Sequence, residues 1–180
     1  AMGGRQNWDQ TRYLSWNFFG SRKLVWDKLK GRVRIDSERD NFTVLMNIFT
    51  DEGKVNKDGI ILEHPDSLKM YLANGKQIWI NDSYWLVMPF KLKDSGVTLK
   101  YLGEQKTEAG QLADVLELTF TEVGATPDNK YHVFVDKQSR LVSQWDFYGK
   151  ASDPEARFKT PWENYQQQGK ILLSGDRGGD

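Results

Sequence analysis

The chain has 180 residues, with 25 Lys and Arg balanced by 25 Asp and Glu, 2 His, no Cys, and an aromatic load of 9 Phe, 7 Tyr and 7 Trp. Zero net charge argues against a general phosphate-binding surface and so against nucleic acid as a partner, because non-specific affinity for it comes from Lys and Arg neutralising phosphates. The absence of cysteine removes disulfides, Cys-ligated zinc, iron-sulfur clusters and thiol catalysis together.

The length suits one domain, and no run of about 18 apolar residues is present to cross a bilayer as a helix. Residues Ala1–Trp8 have neither the basic start nor the apolar stretch of a signal peptide. The Gly3–Gly4 pair, of a kind common after a helix C-terminus, leads to the expectation of a helix before Ala1 and an N-terminal segment over 1–12. From Tyr13 the pattern is of strands, at Tyr13–Phe19, Arg22–Leu29, Arg32–Asp36 and Phe42–Thr50, separated by short polar turns. Leu14, Trp16 and Phe18 share one face, Val33 and Ile35 another, and Phe42, Val44, Met46 and Ile48 a third, which predicts a four-stranded antiparallel meander over 13–50 with one apolar side.

Asp51–Gly59 is expected to be a polar loop, after which the period changes from about 2 to about 3.6. Leu68, Tyr71, Leu72, Ile78 and Trp79 form one helical stripe, with Asp66 or Ser67 as N-cap and a break near Asn74 and Gly75. The apolar run Tyr84–Phe90 is expected to be buried on all sides. Together these make a helical lid insert over 60–90, laid on the apolar face of the sheet. Strands resume at Thr98–Leu102, Leu112–Glu122, Lys130–Val135, Arg140–Tyr148 and Tyr165–Leu173, a strand region over 97–173. Leu116, Leu118 and Phe120 are expected to share a face there, as are Leu141, Trp145 and Phe147. Ala151–Pro161 is expected to be a loop and Ser174–Asp180 a flexible tail. The fold class is mainly β with some α: a curved antiparallel sheet, or unclosed β-barrel, with a helical lid, in a single domain over 1–180.

Chemistry is harder to find. There is no Gly-x-Ser-x-Gly elbow, and none of the Gly-Lys pairs stands in a phosphate-binding loop. His64 and His132 belong to no ligand spacing, so no metal and no cofactor is expected. His64 suits a solvated loop and His132 the polar side of its strand. Asp27 and Asp94 are the carboxylates to inspect for acid-base work. A surface contact for Asp27 and a turn ahead of Gly96 for Asp94 are the plainer roles, and no catalytic residue is assigned. Arg32 and Arg34 share a strand face and suit a solvated surface better than a headgroup site. The aromatic load remains: most of the seven Trp suit core or rim packing, and the functional alternative is a concave sheet lined by Trp, Phe, Met and Leu that encloses an apolar pocket, which unbranched Met46 and Met88 would let adapt to flexible chains.

The segment Asn81–Gly96, the early pair Trp26–Asp27 and the late Pro161–Tyr165 resemble an uncharacterised family of exported proteins, a domain of unknown function, from Gram-negative bacteria. The likeness spans Trp8–Leu173. That family is similar in fold to the lipoprotein carriers LolA and LolB, whose unclosed barrel and helical lid hold acyl chains in the periplasm. The resemblance implies a non-enzymatic binding protein, periplasmic or anchored to the outer membrane, that holds a lipid or other apolar ligand between sheet and lid. Trp16, Phe18, Met46, Trp85, Met88, Leu116, Phe120 and Trp145 are the expected ligand contacts. The expected partners are an apolar small molecule or acyl chain and a membrane or lipoprotein, with the protein a monomer. The alternatives are an envelope module that binds a partner, and a hydrolase acting on glycan or lipid through Asp27 or Asp94.

Overall fold

The computed structural model describes residues 1–121 and 128–178. Among these it is mainly β, with curved antiparallel sheets that do not close and two helices. The contacts divide the chain into two compact units, Asp9–Trp85 and Ala1–Trp8 with Leu86–Asp180. Where one sheet of about nine strands was expected, the strands form three sheets, of six, five and two.

The Asp9–Trp85 unit holds the meander β1 (Tyr13–Phe18), β2 (Arg22–Asp27), β3 (Arg32–Ser37), β4 (Phe42–Asn47), β5 (Glu52–Lys57) and β6 (Ile60–Ile61), each strand paired with the next. The alternation in sequence sets the two faces. Leu24, Val33, Ile35, Val44, Met46 and Val55 are buried on the inner face, whereas Lys23, Arg32, Arg34 and Lys54 point outward and are exposed. The segment expected to be a polar loop is β5, which pairs with β4 from Phe42↔Lys57 to Asn47↔Glu52 and buries only Val55.

One uninterrupted helix, α2 (Pro65–Lys91), replaces the broken helix and separate apolar run expected over 60–90, and the boundary between the units falls inside it. Pro65 occupies the first helical position, where its missing N–H has no intrahelical partner to lose, so the cap lies before it rather than at Asp66 or Ser67. Asp66 follows in the first turn, where its charge complements the helix dipole. Gly75 does not break the helix but lets it approach the sheet: a Cβ there would lie 3.0 Å from Val44 Cγ1 and 3.4 Å from Met46 Sδ. Gly53 makes room from the opposite side, since a Cβ on it would lie 2.8 Å from Leu72 Cδ2 of the helix. Leu72 is buried in the sheet's core cluster, with Leu68, Tyr71, Ile78 and Trp79 of the same stripe packed against it. The amphipathic segment therefore lies on the apolar face of the sheet.

In the other unit, α1 (Gly4–Gln10) begins within the N-terminal segment over 1–12, and it ends across the unit boundary. Its Trp8 stacks on Phe90, with ring centroids 4.5 Å apart and planes 8° from parallel. The five-stranded sheet consists of β7 (Val97–Lys106), β8 (Leu112–Phe120), β9 (Lys130–Asp136), β10 (Val142–Tyr148) and β11 (Phe158–Pro161), in the order β11-β10-β9-β8-β7. β11 lies in the stretch expected to be a loop, and Glu122, expected as the end of a strand, lies outside the described residues. β12 (Glu163–Gln168) and β13 (Ile171–Asp176) form a hairpin where a single strand was expected. The tail expected from Ser174 is strand as far as Asp176, with Ser174 fully buried; Gly179 and Asp180 lie outside the described residues.

Candidate functional site

Four of the expected ligand contacts, Trp16, Phe18, Met46 and Trp85, belong to the Asp9–Trp85 unit. β1 and β2 place Trp16 opposite Leu24, Leu14 opposite Trp26, and Phe18 opposite Arg22, so Trp16 and Trp26 are diagonal neighbours on the inner face. The floor of this face is aliphatic and buried, with Leu24, Val33, Ile35, Val44, Met46 and Val55. Against it pack larger side chains that are only partly buried: Trp16, Phe18 and Trp26 from the sheet, Tyr71, Ile78 and Trp79 from α2. Trp26 and Trp79 meet edge to face, 5.1 Å between centroids at 72°. Trp85 completes a second aromatic group, edge-on to Phe18 at 6.4 Å and to Phe19 at 5.5 Å. Met46 is thus in the floor, Trp16 and Phe18 pack against it, and Trp85 is joined to Phe18 and Phe19.

A charged contact fastens the helix over this layer. The Arg22 guanidinium on β2 donates through Nε to Asp82 Oδ2 at 2.7 Å and through Nη2 to Asp82 Oδ1 at 3.0 Å. Asp82 on α2 is fully buried, and Asn81 Nδ2 donates to the same Oδ1 at 3.0 Å. The guanidinium also lies 5.0 Å from the Phe18 ring centroid, in a cation-π contact. Trp26, Trp79, Arg22 and Asp82 were not among the expected site residues. Leu68, Leu72, Gly75, Trp79, Asp82 and Leu86 follow one another at spacings of 4, 3, 4, 3 and 4. A carboxylate on an otherwise apolar helical stripe was therefore the signal in the sequence that a buried cation would face it.

Met88, Leu116, Phe120 and Trp145 belong to the other unit. Leu116 lies opposite Val133, which also faces Trp145, so the expected shared face exists. Phe120 meets Tyr131 edge-on at 6.0 Å, and Tyr131 stacks on Trp145 at 4.9 Å. Met88 and Trp145 are almost completely buried and serve as core. The opposite face of this sheet carries a row that the sequence reading passed over: Lys159, Asp146, His132, Glu117 and Lys100 are successive cross-strand neighbours on β11 to β7. His132 lies on the polar face, as expected. Its Nδ1 shares a hydrogen bond with the Tyr148 hydroxyl at 3.0 Å, and its Nε2 lies 3.6 Å from Glu117 Oε2. Burial pushes the His132 pKa down, so its ring is neutral at pH 7. Burial pushes the Asp146 carboxyl up, partly offset by a 2.6 Å hydrogen bond from Gln144 Nε2.

Asp27 accepts from Arg12 Nε at 3.1 Å and Nη2 at 3.0 Å, and the guanidinium holds its carboxyl below the usual carboxylate range. Asp94 pairs with Lys91 at 2.6 Å, just past the helix end, and its carbonyl accepts from the Val97 N–H at 3.2 Å in a turn through Gly96. Each of these carboxylates is matched to its own cation, in a separate unit. Arg34 is tied to Asp36 at 2.6 Å on the solvated outer face, and Arg32 is exposed there. His64 is exposed ahead of α2. Among the described residues no group of three or more His, Asp or Glu is placed to hold a metal ion.

No family model matches the sequence, and no curated protein matches it. Solved structures do. A domain from Vibrio parahaemolyticus described as an outer membrane lipoprotein-sorting protein is 12% identical with a TM-score of 0.37, the match covering 88% of this chain and 64% of that one. A DUF1329 family protein from Desulfovibrio piger is 12% identical with a TM-score of 0.43, the match covering 90% of this chain and 65% of that one. The chain thus spans slightly under two thirds of each of these structures.

Proposed function

We propose that this is a non-enzymatic binding protein that shelters an acyl chain or similar apolar ligand between the inner face of the β1–β6 sheet and α2. The observation that carries the reading is the two-tier packing of that layer. The floor is buried with Leu72 of α2 as part of it, and beside it Trp16, Phe18, Trp26, Tyr71, Ile78 and Trp79 are packed but only partly buried. Side chains in that position can exchange contacts with one another for contacts with a guest, and each buried methylene of the guest contributes about 0.8 kcal/mol. Met46 in the floor adapts to the guest's shape. A periplasmic or outer-membrane-anchored location rests on the resemblance carried by Asn81–Gly96. Native mass spectrometry of gently purified protein, with displacement of a fluorescent fatty acid, tests the binding. Adducts of lipid mass and saturable displacement support it; protein free of lipid that displaces nothing rejects it.

A further inference from the structure

The indole Nε1 atoms of Trp16, Trp26 and Trp79 are buried and have no hydrogen-bond partner among the described residues. Buried polar groups nearly always have a partner, and an exception calls for a physical reason. These three donors occupy one neighbourhood. Trp16 and Trp26 are diagonal neighbours on adjacent strands, the Trp79 ring meets Trp26 at 5.1 Å, and all three pack on the same aliphatic cluster. The edge-to-face contact allows one indole N–H to rest on the other ring, a weak substitute for an oxygen. The nearby charges are already matched, Arg22 to Asp82 through both carboxylate oxygens. The surplus in this layer is therefore of neutral N–H donors. A cationic headgroup would bring further donors, and a pure hydrocarbon would leave the three unmet.

Resting on the carrier reading above, we infer that the ligand seated between β1, β2 and α2 is an acyl compound whose carboxylate or ester oxygens accept hydrogen bonds from the indoles of Trp16, Trp26 and Trp79. A carbonyl or carboxylate oxygen has the lone pairs to serve more than one of these donors. Such bonds, made away from water, fix which part of the guest lies under the helix and leave its chain to the aliphatic floor.

The test uses the full chain and three matched probes, dodecanoic acid, methyl dodecanoate and dodecane, each competing with a fluorescent fatty acid. Trp16→Phe, Trp26→Phe and Trp79→Phe keep an aromatic ring and remove the donor. The wild type is expected to bind the acid and the ester about 3-fold to 10-fold or more tighter than the alkane, the range of a net hydrogen bond. Each variant is expected to narrow that gap, because it loses the donor as well as ring surface for the acid and the ester but only ring surface for dodecane. The 15N indole spectrum of the wild type gives a readout independent of the variants: three Nε1–H peaks move downfield with methyl dodecanoate and not with dodecane. Dodecane bound as tightly as the ester, or indole peaks that respond alike to both, overturns the inference and leaves the carrier reading standing. Binding of none of the three probes removes both.

Discussion

Arg22 and Asp82, 60 positions apart in sequence, form a two-bond ion pair between β2 and α2, with the carboxylate fully buried and the guanidinium side chain 16% exposed. Two separate strand and helix patterns thus meet at one polar point inside an otherwise apolar layer. Removing one partner leaves the other's charge poorly solvated, so Asp82→Ala should destabilise the protein by about 3 to 5 kcal/mol. The double variant Arg22→Met with Asp82→Leu should recover most of that loss, because well-packed apolar groups of similar volume replace a buried pair at little cost. Urea unfolding of the three proteins checks both statements; equal stability of Asp82→Ala and wild type would show that the pair does not hold the helix.

The two glycines under the helix should respond differently to alanine. At Gly53 an added Cβ meets the Leu45 carbonyl oxygen at 2.2 Å, and backbone cannot step aside cheaply, so Gly53→Ala should cost about 1 to 3 kcal/mol. At Gly75 the nearest atom is a Val44 methyl at 3.0 Å, which can give slightly. The helix-propensity gain there of about 1 kcal/mol offsets the crowding, so Gly75→Ala should be close to neutral. Thermal unfolding of the two variants is the measurement, and a larger loss at Gly75 than at Gly53 would contradict the packing described.

His132 gives the fold a pH dependence of definite sign. Its pKa is lowered from 6.5 by burial. Between 6.5 and its lower folded value the unfolded chain takes up a proton that the folded chain does not, so stability is full above 6.5 and falls as pH drops through that window. Asp146 works in the opposite sense. Raised from 3.8, its contribution is complete below 3.8 and is lost as pH rises through its folded value. His132→Gln should therefore flatten the stability profile just below pH 6.5, and Asp146→Asn, which keeps an oxygen for Gln144, should raise stability at neutral pH. Chemical denaturation across the acid range, comparing each variant with wild type, reads both slopes.

The C-terminal hairpin should depend on Arg177. Its guanidinium lies 3.6 Å from the Trp162 ring centroid and donates to the Ser174 carbonyl at 3.0 Å and the Ser174 hydroxyl at 2.8 Å. Burial pushes its pKa down to about 10, so it is still charged at neutral pH. Arg177→Met keeps much of the stem's volume and removes these contacts. Amide hydrogen exchange should then speed up in β12 and β13 while the β1–β6 sheet is unchanged; unaltered protection of the hairpin would mean that its other contacts suffice.

The parts of this fold that the sequence makes legible are those with strong alternation. In β1, β3 and β4 large apolar residues recur at every second position, Leu14, Trp16 and Phe18, then Val33 and Ile35, then Phe42, Val44 and Met46, so faces and turns follow directly. β5 carries Val55 as its one large apolar side chain, and it becomes a strand because β4 offers it a hydrogen-bonding edge, which composition does not record. The run Tyr84–Phe90 is apolar at every position, and periodicity cannot tell a fully buried helix from a buried strand. In the layer between the β1–β6 sheet and α2, Trp16, Phe18, Met46 and Trp85 are legible as packing residues because each sits on an apolar face or run. Trp26 and Asp82 were overlooked, although both continue patterns already recognised. Asp146 and His132 become neighbours only through the register of β9 and β10, which emerges from pairing rather than from either strand alone.

The central claim is that α2 and the inner face of β1–β6 hold an acyl guest. Photo-crosslinking with a fatty acid bearing a diazirine on its chain, followed by peptide mapping, tests it most directly. Label that concentrates on Trp16–Trp26 and Tyr71–Trp85, and that excess unlabelled fatty acid suppresses, is the predicted result. Label that excess fatty acid does not suppress, or that falls outside those segments, would contradict it.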